Sequence, residues 1–123
     1  MPDQRFTSYA RGVQGEADAE EHLRRNGMSL LERRYRSPYG EIDLIMLDEE
    51  VLAFIEVKAR FRGTIHSAQL AVTPVKQQKI IRTALCYLAS HPEHAHRIMR
   101  FDVVAIAGDC VYHLPDAFQG AGW

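Results

Sequence analysis

Apolar residues along the chain first follow a helical spacing and then gather into strand-like runs. The helical spacing covers Gly12 to Asn26, and Asn26-Gly27 supplies the stop that is expected after a helix. Met28 to Arg36 predicts a first strand that ends at Ser37-Pro38. The chain therefore begins, by its pattern alone, with a helix followed by a strand.

Two longer apolar runs come next, and a short polar turn joins them. Residues 40–47 (GEIDLIML) and 51–58 (VLAFIEVK) flank Asp48-Glu49-Glu50, which predicts an antiparallel hairpin. Because both runs are nearly all apolar, we expect central strands that are covered on at least one face.

A second helix and two further strands complete the pattern. Residues 61–72 predict a loop, and Thr73-Pro74 starts a helix, with Thr73 as the N-cap and proline at the first helical position. That helix should end near Ser90. Residues 101–107 and 110–114 then predict two strands joined by a Gly-Asp turn.

The predicted order is α-β-β-β-α-β-β, an α/β (α+β) arrangement with a central mixed sheet flanked by helices. The first three strands can form an antiparallel meander, and the second helix can carry the chain to a parallel strand. We expect a single domain over residues 12–118, a flexible N-terminal tail over 1–11 and a C-terminal tail over 119–123.

Composition says more about the cellular environment of the protein than about its fold. A chain of 123 residues is long enough to bury a real core. It contains no apolar run that could cross a bilayer, so no membrane partner is expected. Cys86 and Cys110 lack metal-ligand spacing and are predicted to be reduced thiols of a cytoplasmic protein.

The formal net charge is −1, whereas dedicated duplex-binding proteins are usually basic. Positive residues are nonetheless clustered, which fits either solvated faces or contacts to phosphates. The clusters are Arg33, Arg34 and Arg36; Lys58, Arg60 and Arg62; and Lys76, Lys79 and Arg82.

Charged residues interrupt the two apolar runs at matching places. Because side chains alternate across a strand, Glu41 and Asp43 share one face, and Glu56 and Lys58 share one face of the next strand. If those faces match, three carboxylates and one ammonium group meet in an apolar sheet. Such groups must be paired, hydrated or bound to a metal ion.

Two interpretations of this meeting point carry equal weight from spacing alone. Oxygen-only donors suit Mg²⁺ or Mn²⁺, with Asp43 and Glu56 as ligands in metal-assisted phosphodiester hydrolysis. Lys58 would then orient or deprotonate the water, or neutralise charge on the phosphate. The alternative is an ion pair of Glu56 with Lys58, or with an arginine, at a strand end open to water.

Several separate motifs resemble one family, the YraN-like family of uncharacterised bacterial proteins. They are Gly15-Glu16, Gly40-Glu41-Ile42-Asp43-Leu44-Ile45, Phe54-Ile55-Glu56-Val57-Lys58-Ala59-Arg60, Ala71-Val72-Thr73-Pro74 with Lys76, and Arg100-Phe101-Asp102-Val103-Val104. That family is itself similar to the PD-(D/E)XK nucleases, which include archaeal-type Holliday junction resolvases and restriction endonucleases. One departure is Ala59, which stands where a threonine is usual.

The resemblance implies a restriction endonuclease-like core, with catalytic residues at Asp43 and Glu56-x-Lys58. It also implies Mg²⁺ or Mn²⁺ as cofactor. Some resolvases of that group use a glutamate on the first helix as well, and Glu16 is the matching position, unless it is a surface carboxylate of the helix or one of its acidic neighbours Asp18, Glu20 and Glu21 takes that role. The role of Glu41, another candidate ligand, is not fixed by the pattern. The implied partner is nucleic acid, with DNA favoured over RNA, and the candidate contacts are Arg36, Arg60, Arg62, Lys76 and Lys79.

Three functions therefore compete. The leading hypothesis is a metal-dependent endonuclease that acts on branched, otherwise structured or single-stranded nucleic acid. The second is a non-catalytic nucleic-acid-binding or adaptor domain that keeps the nuclease fold, which the near-neutral charge and small size favour. The third is a protein-interaction module that uses the sheet edge. A homodimer is compatible with the first hypothesis, because dimerisation would double the positive surface.

Overall fold

The computed structural model describes residues 4–59 and 61–119, with side chains from Val13 onward. Helix α1 (Gln4–Arg25) precedes strands β1 (Ser29–Ser37), β2 (Gly40–Asp48) and β3 (Val51–Lys58). Helices α2 (Ile65–Ala71) and α3 (Pro74–Ser90) follow, then a short 3₁₀ turn at Pro92–His94, and finally strands β4 (Met99–Ala107) and β5 (Cys110–Phe118).

The five strands form one mixed sheet in the order β1-β2-β3-β4-β5. Strands β1, β2 and β3 are an antiparallel meander, β3 and β4 are parallel, and β5 returns antiparallel to β4. This confirms the predicted α+β architecture, including the helical connection that carries the chain from β3 to its parallel neighbour.

Both faces of the sheet are buried, which explains why β2 and β3 are nearly all apolar. On one face, α2 and α3 cover a core whose aromatic centre is Phe54, Phe101 and Tyr87. The Phe54 and Phe101 rings stack with their centroids 5.5 Å apart. On the other face, Leu23 of α1 packs against a smaller cluster that includes Ile55. Each such fully buried side chain contributes about 1.5–3 kcal/mol.

Helix α1 starts earlier than predicted, at Gln4 instead of Gly12. The predicted N-terminal tail (1–11) therefore overlaps the first residues of α1. The spacing of Phe6, Tyr9 and Val13 continues the helical period of the later residues, and this extension was not included in the prediction. The rest of that tail (1–3), and residues 120–123 of the C-terminal tail, lie outside the described residues.

The predicted loop over 61–72 contains α2, so the order gains one helix. The helix begins with a reciprocal cap. Thr64 Oγ1 accepts a hydrogen bond from Ser67 N at 3.1 Å, and Ser67 Oγ accepts one from Thr64 N at 2.9 Å. Serine replaces the glutamate or glutamine that usually marks a capping box, so the sequence shows the start only weakly.

Helix α3 begins as predicted, with Thr73 as its N-cap and Pro74 in its first turn. Strand β5 continues to Phe118, four residues past its predicted end at Leu114. Pro115 does not stop it, because β5 is an edge strand, where a missing N–H is tolerated. Within the described residues, no helix has the length and apolar character that crossing a membrane requires.

Candidate active site

The regular ladder between β2 and β3 ends at one pair of residues, Leu44 and Ile55. Asp43 and Glu56 are the next two residues along these strands and lie beyond the ladder. There the Asp43 side chain takes the place of a backbone carbonyl as hydrogen-bond acceptor. Its Oδ2 accepts a hydrogen bond from the backbone N–H of Val57 at 2.7 Å. The carboxylate of Asp43 is thereby fixed between the two strands.

Asp43 and Glu56 are in direct contact, as strand alternation and the short turn predicted. Burial, the negative charge of Glu56, a hydrogen bond to the Glu56 carboxylate and the charge of Glu16 together raise the pKa of Asp43 to about 8. The hydrogen bond from Val57 N–H acts in the opposite direction. Near neutral pH and without a cation, Asp43 therefore keeps its proton and can donate it in a hydrogen bond to the Glu56 side chain.

Glu56 is paired with a lysine, but not with the predicted one. Its side chain is buried, and its Oε2 lies 3.8 Å from Nζ of Lys76, at the start of α3. Lys58, the last residue of β3, lies two residues further along the same strand face. Among the residues that the structure describes, Lys58 has no carboxylate within 4.0 Å.

Glu16 reaches this site because α1 packs very closely on the end of β3. A Cβ atom placed on Gly15 would lie only 2.6 Å from Cβ of Ala59. Glycine at 15 and a small residue at 59 therefore set the distance between helix and strand. Glu16 is close enough to Asp43 for its charge to act on the Asp43 pKa.

Arg34 supplies the cation for Glu16, and it does so through an irregular backbone. Its Nε lies 2.7 Å from Glu16 Oε2. Arg33, the residue before it, donates two hydrogen bonds to Glu20 at 2.6 and 2.9 Å. Consecutive residues of a regular strand point to opposite faces, yet both arginines reach α1, because Arg34 has a left-handed φ of 50°.

The sequence placed Arg34 in a basic cluster but did not assign it to the site. Its left-handed conformation could not be inferred, since arginine has no preference for that region. The pairing of Lys76 with Glu56 was likewise missed, because it depends on how α3 packs against the sheet.

The remaining candidate residues lie further out. Glu41 is 3.6 Å from Arg36, its neighbour across the β1–β2 ladder. Lys79 and Arg62 are exposed. Arg60 lies outside the described residues.

The donor atoms at the site fit a hard divalent cation. No group of three potential ligands from His, Cys, Asp and Glu is gathered within the described part of the chain. Mg²⁺ does not require one, since it is commonly held by one or two carboxylates, with water and substrate phosphates completing its coordination. Asp43 and Glu56 provide such a pair, and Asp43 would release its proton on binding.

Comparison with known proteins places the chain in a family. Residues 15–106 match the sequence profile described as "Uncharacterised protein family UPF0102". The chain belongs to the UPF0102 family. The matched UPF0102 segment starts at Gly15 and includes Glu16, Asp43, Glu56 and Lys58.

Individual UPF0102 proteins are similar over most of their length. One from Rhodopseudomonas palustris strain BisB18 is 44% identical over 119 residues, which cover 96% of this chain and 87% of the relative. Another, from R. palustris strain CGA009, is 42% identical over 116 residues, 94% of this chain and 88% of the relative. A UPF0102 protein of Bradyrhizobium diazoefficiens is 42% identical over 104 residues, 85% of this chain and 77% of the relative.

Proposed function

We propose that this protein is a metal-dependent nuclease that hydrolyses phosphodiester bonds of structured or single-stranded nucleic acid. The observation that carries the proposal is the contact between Asp43 and Glu56, two carboxylates held together beyond the end of the β2–β3 ladder. A protein seldom keeps two such groups in contact for stability alone, because their repulsion must be relieved by a proton or a cation.

Asp43 and Glu56 would hold Mg²⁺ or Mn²⁺. When bound, such an ion polarises a phosphoryl oxygen and lowers the pKa of a coordinated water. The hydrogen bond from Val57 N–H keeps the Asp43 carboxylate in a single orientation. Lys58 would orient or deprotonate the attacking water, or stabilise charge on the phosphate, since its ammonium group is not committed to a described carboxylate.

The charges around the pair support an anionic substrate. Lys76 approaches Glu56 from α3, and Arg34 approaches Glu16 from β1. A cation bound by Asp43 and Glu56 would weaken the pairing of Lys76 with Glu56, since it would neutralise the same negative charge. Lys76 would then be available to contact phosphates of the nucleic acid.

Cleavage assays test this proposal directly. Purified protein is incubated with single-stranded, duplex and four-way-junction substrates of DNA and RNA, with Mg²⁺ or Mn²⁺. We expect cleavage of at least one substrate, its abolition by Asp43→Asn or Glu56→Gln, and a loss of about 100-fold in Lys58→Ala.

Glu41→Gln is the matched control, because Glu41 lies two residues from Asp43 on the same strand and is paired with Arg36. It should keep most of the activity. Absence of cleavage by the unmodified protein, or equal cleavage by all variants, would overturn the proposal.

A second candidate is a nucleic-acid-binding domain without catalysis. The pairing of Lys76 with Glu56 favours it, because a carboxylate neutralised by a lysine needs no metal ion. That function predicts nucleic-acid binding that survives loss of both Asp43 and Glu56 and weakens with salt.

A further inference from the structure

Three basic residues of α3, Lys76, Lys79 and Arg82, follow one another at intervals of three and form a basic stripe along the helix. Lys76 and Lys79 lie near different parts of the sheet. Lys76 Nζ is 3.8 Å from Glu56 Oε2. A Cβ atom placed on Gly40 would lie 3.5 Å from Cβ of Lys79. The stripe therefore leads from the carboxylate pair towards the turn between β1 and β2.

Arg82 ends the stripe at an exposed aromatic residue. Its guanidinium carbon is 5.6 Å from the ring centroid of Tyr39, in the β1–β2 turn. Tyr39 is 48% exposed although it is a large apolar side chain. The cation and the ring together form a partly open platform of the kind on which a planar group can stack.

The turn that carries Tyr39 is held in place by α3. The backbone N–H of Tyr39 donates to Ser37 Oγ at 3.0 Å, and Ser37 Oγ is 2.8 Å from Oγ1 of Thr83. Gly40 follows with a φ of 156°, which residues with a side chain rarely adopt. Because the turn is anchored, its backbone loses little conformational entropy when a ligand stacks on the ring that it carries.

We propose that Tyr39 and Arg82 bind an unpaired nucleobase, and that Lys76 and Lys79 contact the phosphates between that base and the carboxylate pair. This inference rests on the proposed nuclease function and adds the substrate class. Base–aromatic stacking contributes about 1–3 kcal/mol per base. In an intact duplex each base is already stacked on its neighbours, so the platform selects a single strand or an unpaired segment.

The basic residues on the opposite side of the site are less suited to this role. Arg24, Arg25 and Arg33 are each paired with a glutamate of α1, either Glu20 or Glu21. In contrast, neither Lys79 nor Arg82 has a carboxylate within 4.0 Å among the residues that the structure describes. An incoming phosphate would therefore not have to displace a described carboxylate along the outer part of the α3 stripe.

Binding to labelled oligo-dT and oligo-U, measured by fluorescence anisotropy in EDTA, tests the inference without cleavage. We expect Tyr39→Ala to weaken binding about tenfold and Tyr39→Phe to change it less than about twofold. The matched control is Tyr112→Ala, because Tyr112 is 47% exposed on the edge strand β5. It should bind as the unmodified protein does. Arg82→Gln and Lys79→Gln should weaken binding and flatten its salt dependence.

A second readout locates the base. An oligonucleotide that contains 5-iodouracil should photo-crosslink to the peptide that carries Tyr39. Equal binding by Tyr39→Ala and Tyr112→Ala, binding to a blunt duplex as tight as to the single strand, or no binding at all would overturn the platform. Thermal melting of each variant confirms that it is folded.

These outcomes are separable from the nuclease assay. Cleavage that depends on Asp43 but not on Tyr39 keeps the proposed function and rejects the platform. Binding that depends on Tyr39, without any cleavage, keeps the platform and rejects the nuclease.

Discussion

Asp43 is a residue at which burial and a neighbouring negative charge both disfavour ionisation. Burial, followed by the charge of Glu56, raises its pKa to about 8, whereas an aspartate in an unfolded chain titrates near 4. Between these pH values the folded chain keeps a proton that the unfolded chain has lost. The contribution of Asp43 to stability is therefore complete below pH ~4 and is lost as the pH rises towards 8.

Because the stabilising contribution of Asp43 falls as the pH rises, a prediction follows for Asp43→Asn. Asparagine can still accept the hydrogen bond from Val57 N–H and can donate one to Glu56, but it cannot ionise. In EDTA, the variant should gain stability relative to the unmodified protein as the pH rises from 6 to 9. Thermal melting across that range measures the difference. Parallel stability curves for the two proteins would show that Asp43 does not titrate as described.

For individual residues, the sequence predicted only part of the site. Asp43 and Glu56 follow from alternation in two adjacent strands, because a short turn fixes which residues are neighbours. Their basic partners do not follow. Lys76 depends on the packing of α3, and Arg34 depends on a backbone conformation that arginine does not favour.

Among the secondary-structure elements, α1 and the end of β3 set the position of Glu16. Gly15 and Ala59 are the point of contact, where an added Cβ would come within 2.6 Å of Ala59 Cβ. Gly15→Ala should gain about 1 kcal/mol in helix propensity and lose about 1–3 kcal/mol through overpacking. A modest net destabilisation is expected. Mn²⁺ binding should also weaken, because α1 must move away from Asp43 and takes the negative charge of Glu16 with it.

Urea unfolding and a Mn²⁺ titration measure the two effects of Gly15→Ala. The control is the double variant Gly15→Ala/Ala59→Gly, which removes the colliding methyl group and should recover Mn²⁺ binding. If Gly15→Ala alone binds Mn²⁺ as tightly as the unmodified protein, close packing of α1 does not position the site.

The elements themselves were largely predictable, because both long apolar runs and the cap at Thr73 carry strong patterns. Helix α2 was missed since Ser67 replaces the acidic or amide residue of a typical capping box. The start of α1 was placed too late because residues 4–11 are mostly polar and carry only a weak apolar period. Both of these errors lie in the helices, and a third is the end of β5, which was placed at Leu114 instead of Phe118. The order of the strands was correct.

For the whole molecule, the distribution of charge matters more than its sum. The net charge of −1 includes three glutamates of α1 that neutralise arginines on one side of the site. The stripe on α3 is less neutralised and leads to Tyr39. A near-neutral chain can therefore present a local anion-binding surface, and net charge alone does not exclude nucleic acid as a partner.

The layered fold explains why a site forms here at all. Two helical layers bury both faces of the sheet, and the β2–β3 ladder ends between them. At that end the backbone hydrogen bonds between β2 and β3 stop, and the Asp43 carboxylate accepts the hydrogen bond from Val57 N–H instead. The proposed dimer and the choice of DNA over RNA depend on surfaces of the whole molecule and stay predictions.

The most direct measurement is anomalous diffraction from crystals soaked in Mn²⁺. We predict a peak between the carboxylates of Asp43 and Glu56, within direct coordination distance of an oxygen of each, that is absent from Asp43→Asn crystals treated identically. A soaked crystal of the unmodified protein with no peak, in which Lys76 still pairs with Glu56, would contradict it.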